Sequence, residues 1–420
     1  MLDLFQLVLQ IAVILVVARV VGFLFQKINQ PQVMGEMVAG ILLGPSLLGW
    51  LAPGVSAALF PPASLSYLNA LSQVGLVVFM FVVGLALNPS ELHGYGHAAV
   101  LTSHVSIVAP FCLGGLTALY VYPRLSDDGV TFTGFALFMG AAMSITAFPV
   151  LARILTERGL VRSRMGTLAI ACAAVDDVTG WCILAYIVVL VRVTHAGRPA
   201  WATIGGSVAY VLIMLFVVRR ILPAFEREFR KRERLSDDLI AIIVVLVLVS
   251  ALATEWLGIH LLFGAFLMGA IMPKSPEFTR YLLHKFESVT VVLLLPLFFA
   301  YTGLRTRIGV GGGRAIWLYS ALVIVVAITG KLGGSMFAAR LSGMAWREAG
   351  ALGILMNTRG LMELVILNIG LDIGVISPAM FSIMVLMALV TTFMTTPLLE
   401  WVYPTRLLRA QVDEVHAHVA

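Results

Sequence analysis

Two adjacent aspartates, Asp176 and Asp177, lie in the middle of the apolar run IACAAVDDVTGWCILAYIVVL. A carboxylate at membrane depth costs several kcal/mol unless it is neutralised or faces a polar cavity, so such residues usually mark an ion or proton path. Consecutive helical positions point about 100° apart, so the two cannot face one cavity squarely. Packed in a low-dielectric site, the pair does not readily hold two negative charges. Proton and metal cation can therefore compete for one carboxylate. Lys331 interrupts another apolar run, AITGKLGGSMFAA, and needs either a carboxylate partner, Asp176 or Asp177, or a role in proton transfer. Ser144 and Thr146 bring hydroxyl oxygens of the kind a hard cation prefers. Arg359 and Glu363 are spaced i, i+4 and most simply pair with each other. Glu36 and Arg19 lie nearer span ends, where side chains can snorkel.

The elements that must carry these residues are membrane spans. The 420-residue chain is 60% hydrophobic and 12% charged, against about 25% charged in soluble domains, and its mean hydropathy is +0.99. An all-α polytopic membrane protein follows. The net charge of +6 sits in short loops between spans, which reads as topology rather than as a nucleic-acid surface. Cys112, Cys172 and Cys182 all fall inside spans, so a disulfide framework is not expected. MLDLFQ lacks a basic region and cleavage site and is expected to open a retained first span.

At about 20 apolar residues per span, the pattern predicts about thirteen. They lie near 3–24, 33–52, 67–87, 97–122, 131–156, 164–191, 200–220, 236–255, 258–273, 286–304, 314–340, 350–371 and 378–402. One set of loops carries Lys27, Arg153, Arg158, Arg162, Arg164, the basic run from Arg219 to Arg234, Lys274, Arg280, Lys285, Arg340, Arg347, Arg406 and Arg409. The opposite set carries only Arg124, Arg192, Arg198, Arg305, Arg307 and Arg314. The positive-inside rule then puts the N-terminus outside and the C-terminus in the cytoplasm. One transmembrane domain is expected over 1–409, with 221–238 as a cytoplasmic linker between halves and 410–420 as a short tail too small for a regulatory domain.

Two spans carry interruptions. Pro149 breaks the fifth, within Ser144-Ile145-Thr146-Ala147-Phe148-Pro149, and Asn357-Thr358-Arg359-Gly360 breaks the twelfth. Broken helices at corresponding positions point to an inverted-repeat transporter and its binding site. Here they are seven spans apart, the odd offset an inverted repeat around a linker span would give.

SITAFPVLARIL at 144–155, AAVDDVTGW at 173–181, LMNTRGLMELVILNIG at 355–370 and INQPQVMGEMVAGILLGPSLLG at 28–49 together resemble the monovalent cation/proton antiporters. The resemblance is to the branch holding the plant cation/proton exchangers and bacterial Na+/H+ and K+/H+ antiporters. It implies an inverted-repeat, usually dimeric fold in which a moving core domain carries the site past a dimerisation domain. It further implies Asp177 as the carboxylate that alternately binds Na+ or K+ and a proton. Asp176 would be the second acidic position, Lys331 its intramembrane partner, and Thr146 the polar residue at the crossover. Pro149, Asn357, Arg359 and Glu363 would support the breaks. No cofactor is implied beyond the transported ions; the lipid bilayer and a second copy of the chain are the expected partners, in a bacterial inner membrane. Potassium-efflux members carry glutamine-aspartate, so Asp176-Asp177 shifts the expectation toward sodium or broad monovalent specificity. A proton-coupled exporter of an organic cation on the same fold is the alternative. An intramembrane aspartyl enzyme is remote, because a dyad needs carboxyls that converge.

Overall fold

The structure is a computed structural model that describes residues 4–87, 97–158, 160, 164–195, 200–232, 234–308 and 313–404. The expected tail 410–420 and the loop residues Arg162, Arg198, Arg406 and Arg409 lie outside the described residues. Regular structure among the described residues is helical. The first half holds α1 (Leu4–Lys27), α2 (Gln32–Leu43), α3 (Leu48–Leu51), α4 (Pro53–Leu59), α5 (Pro62–Ala86), α6 (His97–Leu125), α7 (Phe132–Ser144), α8 (Phe148–Glu157), α9 (Arg164–His195) and α10 (Ala200–Ile213). There follow α11 (Arg219–Ile221), α12 (Pro223–Arg232), α13 (Asp237–Trp256), α14 (Leu261–Ile271), α15 (Pro276–Val289), α16 (Leu295–Arg305), α17 (Gly313–Ile328), α18 (Gly334–Leu341), α19 (Trp346–Met356), α20 (Leu361–Asp372) and α21 (Pro378–Val402). Three π-helical turns, Met214–Val218, Thr290–Leu294 and Thr329–Gly333, join consecutive helices.

Among the described residues, ten helices are long and apolar enough to cross a membrane, and the bent pair α19–α20 makes an eleventh. The spans expected at 131–156 and 258–273 take shorter forms. One is split between α7 and α8, and the other is the 11-residue α14. The stretch expected as a linker, 221–238, contains α12, whose Phe225 and Phe229 are buried while Arg230 and Glu226 pair on its surface at 2.6 Å.

Helix starts follow local chemistry. Ser377 accepts from the Met380 amide at 3.2 Å with Pro378 in the first turn of α21, and Thr131 accepts from Gly134 N at 3.2 Å ahead of α7.

The chain divides into two compact units. The first comprises residues 1–19, 39–91 and 185–305. Within it a Cβ on Gly40 of α2 would lie 2.2 Å from the Phe299 carbonyl of α16, so only glycine allows these backbones to meet. Lys274, in the turn between α14 and α15, donates to the carbonyls of Gly84 (2.8 Å), Leu85 (2.9 Å) and Gly269 (3.0 Å), closing the ends of α5 and α14. Burial pushes this lysine down to about 8.

The second unit comprises residues 20–38, 92–184 and 306–420. Its core packs α8, α9, α18, α19 and α21 around Leu151, Leu155, Cys172, Leu352 and Leu399. Glu36 departs from the expected snorkelling: it is 3% exposed, and its Oε1 accepts from Gln32 Nε2 at 2.9 Å. All three cysteines are free thiols.

Candidate functional site: a carboxylate pair beside two crossing helix breaks

Helix α9 runs unbroken through the aspartate pair and buries both, Asp176 at 0% and Asp177 at 2% exposure. Their surroundings differ completely. Lys331 Nζ lies 2.6 Å from Asp176 Oδ2. Ser103 and Ser106 hydroxyls from α6 lie 3.1 and 3.0 Å from Oδ1, and Thr146 Oγ1 lies 2.9 Å from Oδ2. A carboxylate offers about four acceptor sites, so Asp176 is filled. Lys331 is filled as well: its other two N–H bonds go to the carbonyls of Ser106 (3.0 Å) and Ser144. The lysine sits in the π turn Thr329–Gly333, a kind of helix defect frequent at functional sites. Gly330 beside it lets the turn reach α6, since a Cβ there would lie 2.8 Å from Pro110 Cα.

The breaks are a matched pair. α7 ends at Ser144, Ile145 leaves the helix at φ −83°, ψ 136°, and α8 restarts at Phe148 with Pro149 in its first turn, where a missing N–H costs nothing. α19 ends at Met356, and α20 restarts at Leu361 with a 43° bend. The two non-helical segments cross: Ala147 N–H donates to Thr358 O at 3.0 Å, and Thr146 Oγ1 also lies 2.9 Å from Met356 O. Arg359 ties them together, donating to Ala142 O (2.7 Å), Met143 O (2.6 Å) and Glu363 Oε2 (3.1 Å). Its own backbone exchanges two hydrogen bonds with the Thr392 hydroxyl. Thus the last three carbonyls of α7, those of Ala142, Met143 and Ser144, each meet a cationic donor. That is the charge the negative end of a helix favours.

Asp177 faces the opposite kind of helix end. The Phe148 amide, which opens α8, donates to its carboxylate. Its Oδ1 is buried and has no partner. A buried carboxylate oxygen normally finds a donor; this one keeps an open acceptor position that one proton or one small cation can fill.

Of the residues singled out from sequence, the structure gathers Asp176, Asp177, Thr146 and Lys331, with Arg359 and Glu363 bracing the crossing. The Ser144 hydroxyl turns back to Gly140 O (2.6 Å), and this residue joins the cluster through its carbonyl alone. The Asn357 amide points to Met394 Sδ at 3.9 Å, with Oδ1 unpartnered. Of the carbonyls at the breaks, those of Ala142, Met143, Ser144 and Thr358 accept hydrogen bonds, while the Met356 carbonyl competes with Asp176 Oδ2 for the single Thr146 hydroxyl proton. Sequence reasoning passed over Ser103 and Ser106. Their signal was present, two hydroxyls at i, i+3 in the apolar stretch LTSHVSIVAP at 101–110.

Helices broken in mid-span and crossing beside buried carboxylates are the build of a secondary transporter. The comparisons with known proteins specify which. Residues 12–401 match the transmembrane sodium/hydrogen exchanger family, and the chain belongs to that family. It is 45% identical over 395 residues to the Na+/H+ antiporter NhaS4 of Synechocystis sp., covering 94% of this chain and 96% of that protein. It is 40% identical to cation/H+ antiporter 17 of Arabidopsis thaliana over 94% of this chain. There it spans 48%, about half of the plant protein's length. The K+/H+ antiporter 1 of Saccharomyces cerevisiae is 31% identical over 94% of this chain and 46% of its own. The fold matches that of the sodium proton antiporter MjNhaP1 from Methanocaldococcus jannaschii at TM-score 0.65 and 15% identity, over 97% of this chain and 98% of that one. Membership of a transporter family removes the reading of the aspartate pair as an intramembrane enzyme.

Proposed function

We propose that this chain exchanges a monovalent cation, Na+ or K+, for protons, with the two competing for Asp177. The observation that carries the reading is the contrast within the pair. Asp176 is saturated by one lysine and three hydroxyls, whereas Asp177 Oδ1 is buried and empty-handed. Asp176 and Lys331 are the fixed frame in this scheme, and Asp177 is the carrier. Deprotonated, Asp177 takes a cation from one side; access then alternates, the cation leaves on the other side, and a proton takes its place. Because both ligands use the same oxygens, cation and proton cannot ride together, and exchange needs no further coupling device. Water, together with protein oxygens left unbonded at the breaks, completes the cation's shell. The names of the relatives, which include a Na+/H+ and a K+/H+ antiporter, support a monovalent cation as cargo.

The same reading places the chain in a bacterial inner membrane as a homodimer, N-terminus outside and C-terminus cytoplasmic. Helix α1, whose Phe5, Val16 and Phe23 are exposed, is the candidate for the contact. The test is collapse of a pH gradient in proteoliposomes on adding Na+, K+ or Li+, with Asp177→Asn beside the wild type. A cation-dependent signal lost in Asp177→Asn is expected. Folded protein that answers none of the three cations would overturn the reading and favour an organic cargo.

A further inference from the structure

Helices α6 and α17 enclose a groove of about 640 Å³ that takes no part in the exchange scheme. Its walls are apolar, with Leu113 and Leu116 on α6 and Leu318 and Val326 on α17. Leu116 and Leu318 are 61% and 70% exposed, so the groove opens sideways, toward lipid in a membrane-embedded chain. The α17 wall runs from Ala315 to Val326, about 16 Å of helix at 1.5 Å per residue. That is close to half the ~30 Å hydrocarbon core, the depth of one leaflet.

One end of the groove carries aromatic hydroxyls. Tyr120 and Tyr319 meet there with ring centroids 6.0 Å apart, the residue type that settles at the headgroup level. One turn further along α6, the Arg124 guanidinium lies over the Tyr120 ring at 4.2 Å, with Nη1 bonded to Tyr120 O at 2.7 Å. On α17, Arg314 immediately precedes Ala315 of the wall. Both arginines are exposed. A guanidinium fork matches phosphate geometry and stacks on aromatic faces. Asp127 and Asp128 follow Arg124 in the loop, so the formal charge of these four residues is balanced. What recommends this end of the groove for a phosphate is therefore the Arg124 fork stacked on Tyr120 rather than a net positive field.

We propose that this groove is a glycerophospholipid site, with one acyl chain lying between α6 and α17 and the phosphate held by Arg124 and Arg314. The consequence reaches the ion site. α6 supplies Ser103 and Ser106 to Asp176, and α17 leads directly into the π turn that carries Lys331. A lipid seated between them braces the two helices that hold the Asp176–Lys331 frame.

Native mass spectrometry of the full chain in detergent tests this, with phosphatidylglycerol as the probe and digalactosyldiacylglycerol as a phosphate-free lipid of matched chains. Binding is read directly, so the result stands apart from whether the protein exchanges ions. The wild type is expected to retain phosphatidylglycerol in preference to the galactolipid. The double variant Arg124→Gln/Arg314→Gln is expected to hold it about tenfold more weakly, the weight of a lost charge-assisted bond. Leu322→Trp, which fills the groove and leaves both arginines in place, is expected to abolish retention. Equal retention of both lipids overturns the phosphate contact, and retention unaffected by Leu322→Trp overturns the groove as the site. All three positions lie at the surface or half-buried, and an unchanged melting temperature of each variant certifies its fold.

Discussion

Replacing Lys331 by methionine removes the charge from the centre of the site while keeping the length of the side chain. Lys331 and Asp176 are both fully buried. The ammonium gives all its protons to three oxygens, those of Asp176, Ser106 and Ser144. The substitution therefore strands a carboxylate with hydroxyl donors only and leaves two carbonyls short of a donor. Deleting one partner of a buried ion pair typically costs about 3–5 kcal/mol. The Ser144 carbonyl adds to this, because it belongs to the C-terminal turn of α7, where a cation offsets the negative helix end. The double variant Lys331→Met/Asp176→Asn removes both charges, and Ser103, Ser106 and Thr146 can still pair with the asparagine amide. It is expected to regain at least about half of the loss, since buried pairs replaced as a unit are often near neutral. Denaturant unfolding in detergent, run as a four-member cycle, measures the coupling. A single-variant loss below about 1 kcal/mol, or two losses that simply add, would refute the assignment of Lys331 to Asp176 as the main electrostatic tie of this unit.

Other changes probe other contacts. Thr146→Val keeps the shape but removes the hydroxyl between Asp176 Oδ2 and Met356 O. A loss of about 1–3 kcal/mol, with slowed exchange, is expected in the same unfolding and proteoliposome assays, and Thr146→Ser should restore both. Gly40→Ala forces a Cβ to within 2.2 Å of the Phe299 carbonyl and should destabilise by about 1–3 kcal/mol. Gly115→Ala in α6, where nothing lies within 4 Å, should instead stabilise by up to about 1 kcal/mol; melting temperatures decide. For Lys274, burial lowers the folded pKa to about 8 from the ordinary 10.5. Between these values the unfolded chain binds more protons, so this residue's contribution makes stability rise from pH 8 to 10.5 and stay level below. Comparing the pH dependence of unfolding in wild type and Lys274→Met should show that rise only in the wild type.

The presence of a buried polar centre was legible in the sequence because charge inside a span is rare enough to stand out. Asp176, Asp177, Lys331, Arg359 and Glu363 announced themselves against an apolar background, as did the breaks at Pro149 and at Asn357–Gly360. Helical periodicity also required that neighbouring aspartates diverge. It could not say which neighbour each would meet, because that depends on which helix packs on which face of α9. Only the tertiary structure decided that Lys331 belongs to Asp176, that two serines from α6 complete it, and that the Phe148 amide donates to Asp177. Hydropathy likewise marked apolar stretches but not how much of each is helix; α14 spans 11 residues, and the fifth stretch is divided. The fate of the carbonyls at the breaks was invisible for the same reason. A proline announces that backbone groups are released, and only packing brings Arg359 and Lys331 from distant parts of the chain to take up those of Ala142, Met143 and Ser144.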